Sequence, residues 1–121
     1  PGVKERFAFG QAVDDTTYAL ETEKRGAYRS ELAALLGQDG FIVLPTVPGA
    51  APLADGTPEE LLAYRERALR LLCLSGLSGF PQITLPLGTV EGAPFGLSLL
   101  GPAGSDLALI RLGREILQAQ R

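Results

Sequence analysis

The stretch Phe41-Ile42-Val43-Leu44-Pro45-Thr46-Val47-Pro48, at residues 41–48, decides the fold class of this chain. Its first four residues are apolar without alternation, which predicts a strand buried on both faces, as in sheets covered by helices. Three prolines between positions 45 and 52 exclude regular structure there, so a loop begins where the strand ends. Because ligands bind at that edge of open α/β sheets, the loop is the first place to look for a site.

Helical patterns lie on both sides of this strand. Residues 11–36 carry apolar side chains at helical spacing opposite a charged face, which predicts one or two helices. Residues 57–60, Thr-Pro-Glu-Glu, have the cap, the proline and the returning glutamate of a helix start, and this helix is expected to end near Leu74. Ser105 is expected to cap a last helix. Residues 3–10 fit either a short helix or an extended segment.

Two further strands are expected at residues 82–85 and 95–100, and the glycines and proline between them favour a hairpin. With strand 41–44 they predict an α/β fold, with a mixed β-sheet flanked by helices. Three short apolar strands leave long unpaired edges. The sequence also contains no Met and begins with Pro1-Gly2. These features predict that residues 1–121 are a segment of a longer chain.

Composition excludes several kinds of site. The chain has 121 residues, no His and one Cys, so it cannot form a Ser-His or Cys-His pair, a His-ligated zinc site or an internal disulfide. With 11 Lys and Arg against 14 Asp and Glu, no segment offers a basic stripe for nucleic acid. No apolar run reaches the roughly 18 residues of a membrane span. We therefore expect no nucleic-acid partner, no membrane contact, no metal and no cofactor.

Three polar features could carry chemistry alone, and each has a simpler interpretation. Ser78 lies in a Gly-Leu-Ser-Gly-Phe stretch that resembles the nucleophile turn of hydrolases, except that Phe80 stands where that motif requires Gly. Because the chain also has no His to act as base, a tight turn is the preferred interpretation. Lys24, on a charged helix face, is expected to be solvated. Residues 101–105 could offer backbone N–H groups to an anion, but they lack the Lys of a phosphate loop. A turn followed by a helix cap is the preferred interpretation.

Three segments, taken in order, resemble elements of the amidase signature family. Asp39–Thr46 is similar to its D-x-(apolar)-x-x-P-T element, and Gly79–Gly88 is similar to its G-x-P-x-(apolar)-x-(apolar)-P-x-G run. Ala93–Gly101 is similar to the P-x-G ending that precedes a last helix. Together they cover essentially the whole chain. Ser75–Pro81 most resembles the plant branch that acts on indole-3-acetamide, with Gly76 where most members carry Asn.

The resemblance implies a carboxamide C–N hydrolase, of which residues 1–121 form the C-terminal part of a single amidase signature domain. Members of the family use a Ser nucleophile, a bridging Ser and a Lys. This chemistry needs no His, because a neutral Lys amine of lowered pKa can relay the proton. Those residues lie upstream in the family, so no catalytic residue is expected in this chain. The chain should be inactive by itself, with the rest of the amidase chain and a small-molecule amide as partners and no cofactor.

The resemblance also implies part of the wall of an acyl-binding cleft, formed by the loop after the first strand and the end of the second long helix. The implied substrate-binding residues are Thr46, Val47, Cys73, Ser75 and Gly76. They are small or apolar and uncharged, which favours an apolar or aromatic acyl group over a charged one. Core packing is the alternative role for each of them.

Two other functions stay open. Family members exist whose amidase region is a protein-binding module, and a chain without the catalytic residues fits that class as well. An independent α/β domain that binds an anion at residues 101–105 is the third interpretation. The expected compartment is the cytoplasm, and a homo-oligomer stays open. Expressed alone, the chain is expected to associate or to be only partly ordered, because it exposes strand edges and core surface.

Overall fold

The computed structural model describes residues 2–120 and confirms the α/β class. Its elements are α1 (Val3–Gln11), α2 (Asp15–Leu36), β1 (Ile42–Pro45), α3 (Pro58–Ser78), β2 (Gln82–Val90), β3 (Ala93–Leu100) and α4 (Asp106–Ala119). The segment at residues 3–10, for which the sequence left two conformations open, is helical. A short break at residues 12–14 separates it from α2.

The ends of α3 follow from local chemistry. The hydroxyl oxygen of Thr57 accepts from the backbone N–H of Glu60 at 3.2 Å, and the Glu60 carboxylate accepts from the backbone N–H of Thr57 at 2.8 Å. Pro58 occupies the first helical position, where a backbone N–H would have no intrahelical partner, so its absence costs no hydrogen bond. The helix continues one turn beyond its predicted end, to Ser78, because the stop is supplied by Gly79, whose φ of 71° is left-handed.

The three strands form an antiparallel sheet in the order β1-β3-β2. The predicted hairpin joins β2 to β3: Glu91 and Gly92 both have positive φ, 52° and 78°, as expected for the two-residue turn that suits the strand twist. β2 is longer than predicted, and its register shifts between Pro86 and Gly88. β1 pairs with the other edge of β3, so both pairings among the described residues are antiparallel.

Helices lie on both faces of this sheet. α2 and α3 pack against part of one face, and α4 packs on the other, against β2 and β3. The cluster under α2 and α3 consists of Leu32, Leu36, Leu44, Phe80 and Leu100. The cluster under α4 consists of Leu85, Leu99 and Leu109. The sheet is therefore the middle of three layers, as apolar strands with helices on either side require.

β1 is buried on one face only, so the expectation of a strand with two buried faces is wrong for this chain. Leu44 lies in the cluster under α2 and α3 and is 7% exposed, whereas Val43, on the opposite face, is 55% exposed. The physical reason is that α4 makes its main contacts with β2 and β3 and leaves the outer strand open. Apolar surface of the kind found in a core therefore faces solvent here.

The N-terminal helices also expose apolar side chains. Phe7 and Phe9 of α1 are 73% and 75% exposed, and no residue of α1 is buried. In α2 the buried residues, Leu32 and Leu36, belong to its last turns. We call residues 3–27 the N-terminal arm, since every residue in this range is exposed. Exposed apolar side chains therefore lie along α1 and the first part of α2, among them Phe7, Phe9 and Leu20.

Candidate functional site

Thr46 lies where β1 ends and the proline-rich loop begins. Its backbone N–H donates to the Gly96 carbonyl at 3.0 Å, which extends the pairing with β3 by one residue. Its hydroxyl lies 2.9 Å from the hydroxyl of Ser98 and 3.4 Å from that of Thr84. The Thr84 and Ser98 hydroxyls are 3.1 Å apart. We call Thr46, Thr84 and Ser98 the hydroxyl triangle; its members come from three neighbouring strands or strand ends.

Strand register places the hydroxyl triangle on the face covered by α2 and α3. Residues opposite each other in an antiparallel ladder point to the same side, and Ser98 lies opposite both Leu44 and Thr84. Gly96 provides the space between them: a Cβ there would lie 2.8 Å from the Thr84 methyl group and 3.1 Å from the Thr46 hydroxyl. Ser98 is fully buried, whereas Thr84 is exposed.

Thr46 is a site residue predicted from the resemblance, whereas its hydrogen-bond partners Thr84 and Ser98 were not predicted. A signal was present for Ser98, the only polar side chain in β3, but β2 also contains Gln82 and Thr89 and does not single out Thr84. Their proximity depends on the β2–β3 register, which the sequence alone does not fix.

Val47 follows in the loop and is half-buried. The loop is held to α3 by the Tyr64 hydroxyl, which donates to the Gly49 carbonyl at 3.3 Å. A cavity of about 260 Å³ lies between loop and helix, lined by Pro52, Leu53, Gly56, Glu60, Tyr64 and Arg67. This volume is below the roughly 300 Å³ of small ligand pockets.

The other predicted site residues lie near the C-terminal end of α3. The Ser75 hydroxyl donates to the Phe80 carbonyl at 2.8 Å. The half-buried Cys73 thiol contacts the Arg70 carbonyl at 3.2 Å. Gly76 is exposed, and a Cβ built there meets no atom within 4 Å. This chain therefore leaves space at position 76 for the larger Asn that the resemblance leads us to expect there.

Arg25 of α2 fixes the end of α3. Its Nε donates to the Leu77 carbonyl at 2.8 Å, and a terminal guanidinium nitrogen donates to the Gly76 carbonyl at 3.3 Å. A helix leaves its last carbonyls without intrahelical partners, and a cation is favourable at that end. The neighbouring Arg29 places its guanidinium 5.5 Å from the centre of the Phe80 ring. Neither contact was predicted from the sequence, since the charged pattern around Arg25 and Arg29 indicates only a solvated helix face.

Tyr28 lies near Cys73 and packs against the cluster under α2 and α3. Its hydroxyl is buried and has no hydrogen-bond partner among the described residues. Burial raises the pKa of the Tyr28 hydroxyl above its ordinary value, and the Cys73 thiol raises it further. Tyr28 is therefore a neutral phenol at physiological pH, and it adds no charge beside the predicted site residues.

The five predicted site residues fall into two groups that no hydrogen bond joins within residues 2–120. Thr46 bonds to β2 and β3, while Ser75 and Gly76 bond to Phe80 and Arg25. Both groups lie on the side of the sheet covered by α2 and α3, since Leu74, beside Ser75, packs against that cluster. The structure thus places the hydroxyl triangle and the end of α3 on the same side of the sheet.

Ser78 and Lys24 have the structural roles that the sequence favoured. Ser78 is fully buried at the end of α3. Its hydroxyl donates to the Leu74 carbonyl at 2.6 Å and accepts from the Phe80 N–H at 3.1 Å, so it stabilises the turn. Lys24 pairs with Glu21 at 2.7 Å, and both side chains are exposed.

Ser105 stands at the N-cap of α4, as predicted, but its side chain does not cap the helix. Its ψ of 9° departs from the extended backbone that aims a cap oxygen at the first turn, and its hydroxyl is buried without a partner among the described residues. The N–H groups of Gly101 and Ser105 donate to Pro81 and Pro102, each at 3.1 Å. These bonds support the turn interpretation over an anion site.

No helix within residues 2–120 combines the length and apolar character needed to cross a bilayer.

Comparison with known proteins identifies the family. The family model described as Amidase matches residues 3–110. Amidase 1 of Oryza sativa subsp. japonica is 37% identical over 98% of this chain and 27% of its own length. Outer envelope protein 64, chloroplastic, of Arabidopsis thaliana is 36% identical over 74% of this chain and 16% of its own length. A crystal structure of an amidase superposes with a TM-score of 0.77 at 30% identity, covering 99% of this chain and 28% of that one.

The chain belongs to the amidase family, which confirms the resemblance carried by its three sequence segments. The rice relative is a plant amidase, in agreement with the plant-like turn at Ser75–Pro81. The chain spans roughly a quarter of the length of this relative and of the amidase structure.

Proposed function

We propose that residues 1–121 are the C-terminal part of one amidase domain that hydrolyses the C–N bond of carboxamides. The observation that carries this proposal is the superposition of 99% of the chain onto 28% of an amidase structure. The proposal assigns the Ser-Ser-Lys residues to the remainder of that domain. The segment described here then supplies sheet core and pocket wall and is inactive by itself.

Uncovered apolar surface supports the proposal. Val43 on the open face of β1 is 55% exposed, Leu69 on α3 is 55% exposed and Phe7 in the N-terminal arm is 73% exposed. Each lies on a regular element, where a neighbouring layer normally covers such side chains. We assign that layer to the rest of the amidase chain, so that the partner of this segment is covalently continuous with it. A second copy of the protein could also cover this surface in a homo-oligomer. Neither nucleic acid nor a membrane is proposed as a partner.

The proposed substrates are linear amides with an apolar or aromatic acyl group. Thr46, Val47, Cys73, Ser75 and Gly76 would line part of the pocket, and none of them carries a formal charge. A charged acyl group would lose its hydration there without gaining a counter-ion. The cytoplasm is the proposed compartment.

The full-length gene product provides the test. It is assayed for ammonia release from phenylacetamide, beside the same protein lacking this segment and the segment alone. We expect ammonia from the full-length protein only, because the catalytic residues and the pocket wall lie on different parts of the chain. A folded full-length protein that releases no ammonia from any carboxamide of a broad panel overturns the enzyme proposal.

A second candidate function is a non-catalytic, amidase-like protein-binding module. The observation in its favour is the 36% identity to an outer envelope protein, whose name gives a location and no reaction. The full-length sequence separates the two functions. A complete Ser-Ser-Lys set upstream favours the enzyme, and its loss favours the module.

A further inference from the structure

We propose that the rest of the amidase chain joins this sheet at the free edge of β1, and not at that of β2, by adding a strand beside Ile42–Pro45. The strand order is β1-β3-β2, so each outer strand has one edge without a partner within residues 2–120. This inference rests on the proposed function and deepens it, because it names the surface at which the assigned partner binds and the kind of element that it contributes.

The ladder between β1 and β3 shows which backbone groups of β1 face outward. The Thr46 N–H donates to the Gly96 carbonyl. Bonded and non-bonded positions alternate along an antiparallel ladder, so Leu44 bonds to β3, whereas the N–H and C=O of Val43 point away from it. Val43 therefore offers a donor and an acceptor to a further strand, and Pro45, at the end of β1, adds a carbonyl.

The ladder between β2 and β3 gives the equivalent position on the other edge. The Gly101 N–H donates to the Pro81 carbonyl. The same alternation directs Leu85 toward β3 and turns the N–H and C=O of Thr84 outward. Val43 and Thr84 are thus matched backbone positions on the two free edges, and the difference between the edges lies in the residues around them.

β2 has the features of a strand that ends a sheet. Its apolar residues Ile83, Leu85 and Leu87 belong to the cluster on the α4 side, and they alternate with Thr84 and Pro86, which are exposed. Such alternation is typical of a strand with solvent on one face. Pro86 stands at an outward position, and the register shifts directly after it. Proline and bulges both discourage the addition of another strand.

β1 has the composition of an inner strand. Ile42, Val43 and Leu44 are apolar without alternation, as in strands that are buried on both faces. Leu44 is buried under α2 and α3, while Val43 on the other face is 55% exposed. Phe41, which precedes β1, is exposed and lines a cavity of about 240 Å³ beside α4. The uncovered surface therefore continues from the free edge of β1 toward α4, whereas β2 has no such apolar margin on its exposed face.

The share of the relatives that this chain covers identifies the occupant. It spans 27% of the rice relative and 28% of the amidase structure, so most of a domain of that size lies outside residues 1–121. A strand from that part is covalently attached, whereas a second copy would lose translational and rotational freedom on binding. We assign the edge to a strand of the same chain, with apolar side chains on both faces because it continues the inner part of the sheet.

Hydrogen exchange of the full-length gene product, resolved to single residues by mass spectrometry, tests this assignment. Each outward N–H is compared with the inward N–H next to it, Val43 with Leu44 and Thr84 with Leu85. We expect Val43 to exchange within about tenfold of the rate of Leu44, because both amides would be bonded in the sheet. Thr84 should exchange on the order of a hundredfold faster than Leu85, since its amide faces solvent.

A matched pair of variants tests whether the face beside this edge is covered. Val43→Thr keeps the side-chain shape and adds a hydroxyl, which is costly only where a neighbouring layer excludes water. We expect it to lower the Tm of the full-length protein by about 2 °C or more. Val90→Thr makes the same change at the last residue of β2 and should stay within about 1 °C of the wild type. Equal losses for the two variants contradict the inference.

The outcomes separate this inference from the function on which it rests. Exchange of Val43 as fast as that of Thr84, in a protein that releases ammonia from phenylacetamide, overturns the edge assignment and leaves the amidase intact. Protection of Val43 that disappears when the protein is diluted to a monomer assigns the edge to a second copy, and it also overturns the inference. Protection of Val43 in a monomer that hydrolyses no carboxamide supports the edge assignment and overturns the enzyme proposal alone.

Discussion

α4 and the N-terminal arm are both helical and both carry large apolar side chains, but only α4 has a surface on which to bury them. Leu109 of α4 is 4% exposed, whereas Phe7 of the arm is 73% exposed. α4 comes close to the sheet because of Gly113, where a Cβ would lie 2.9 Å from a methyl group of Leu85. An apolar helix side chain is thus buried in this segment only where the segment also supplies a surface for it, as the sheet does for α4.

The largest effect is expected where the partner is present. Leu109→Ala removes a buried side chain from the cluster under α4 and leaves a cavity, so it should lower the free energy of unfolding of the full-length protein by about 2–5 kcal/mol. Denaturant unfolding measures the change. Gln118→Ala, at an exposed position of the same helix, is the control and should stay within about 0.5 kcal/mol of the wild type. Equal effects of the two changes would contradict the packing described for α4.

The arm should behave like α4 once the rest of the domain is attached. In the full-length protein, Phe7→Ala is expected to cost about 1.5–3 kcal/mol, the value of burying one large apolar side chain. Gln11→Ala, at the exposed polar end of α1, provides the matched control and should be nearly neutral. If Phe7→Ala is as neutral as Gln11→Ala, no upstream layer covers the arm at this position.

Much of the fold could be predicted because it depends on local chemistry. Thr57 and Glu60 lie three residues apart and form the expected capping box, and Gly92 lies in the expected hairpin turn. The last helix begins directly after Ser105, as expected. Each of these features is decided within a few residues of the chain, so no tertiary information was needed.

The features that escaped prediction depend on contacts between distant residues. The one-sided burial of β1 depends on how far α4 extends over the sheet, which no pattern in residues 41–44 encodes. The hydroxyl triangle depends on strand register, and the bonds of Arg25 to the end of α3 join residues more than 50 positions apart. For the candidate site, the sequence singled out Thr46 and the end of α3 as predictions, but it did not predict the residues that contact them.

A smaller effect is expected at two neighbouring cations of α2. Arg25→Ala removes both hydrogen bonds to the end of α3 and should cost about 1–2 kcal/mol of unfolding free energy. Lys24→Ala removes only an exposed pair with Glu21 and should cost less than about 0.5 kcal/mol. Thermal unfolding of the two full-length variants gives the comparison. A larger loss for Lys24→Ala than for Arg25→Ala would show that Arg25 does not hold the helix end.

The smallest expected effect is a pH dependence of Tm that comes from the helix caps. Hydrogen bonds from Thr57 lower the pKa of the Glu60 carboxyl below its ordinary value of 4.5. A carboxyl with a lowered folded pKa stabilises the fold above its unfolded pKa, and that contribution disappears as the pH falls through the folded value. Glu60→Gln keeps the hydrogen-bonding shape without the charge, so its Tm should fall less than that of the wild type below about pH 4.5.

The arm carries the matched case for this pH dependence. Hydrogen bonds from Thr17 lower the pKa of the Asp14 carboxyl in the same way, and Asp14→Asn should show the same sign. Parallel Tm curves for the wild type and both variants through the acid range would contradict the cap account.

The intact mass of the gene product, measured from its host, tests the central claim most directly. We claim that this segment completes a larger amidase domain that covers its open apolar surface. The account predicts a mass several times the 12.8 kDa of this chain, since the chain spans 27% of its rice relative. A mature, folded product of 12.8 kDa would contradict it, because the catalytic part of the domain would then be absent from the protein.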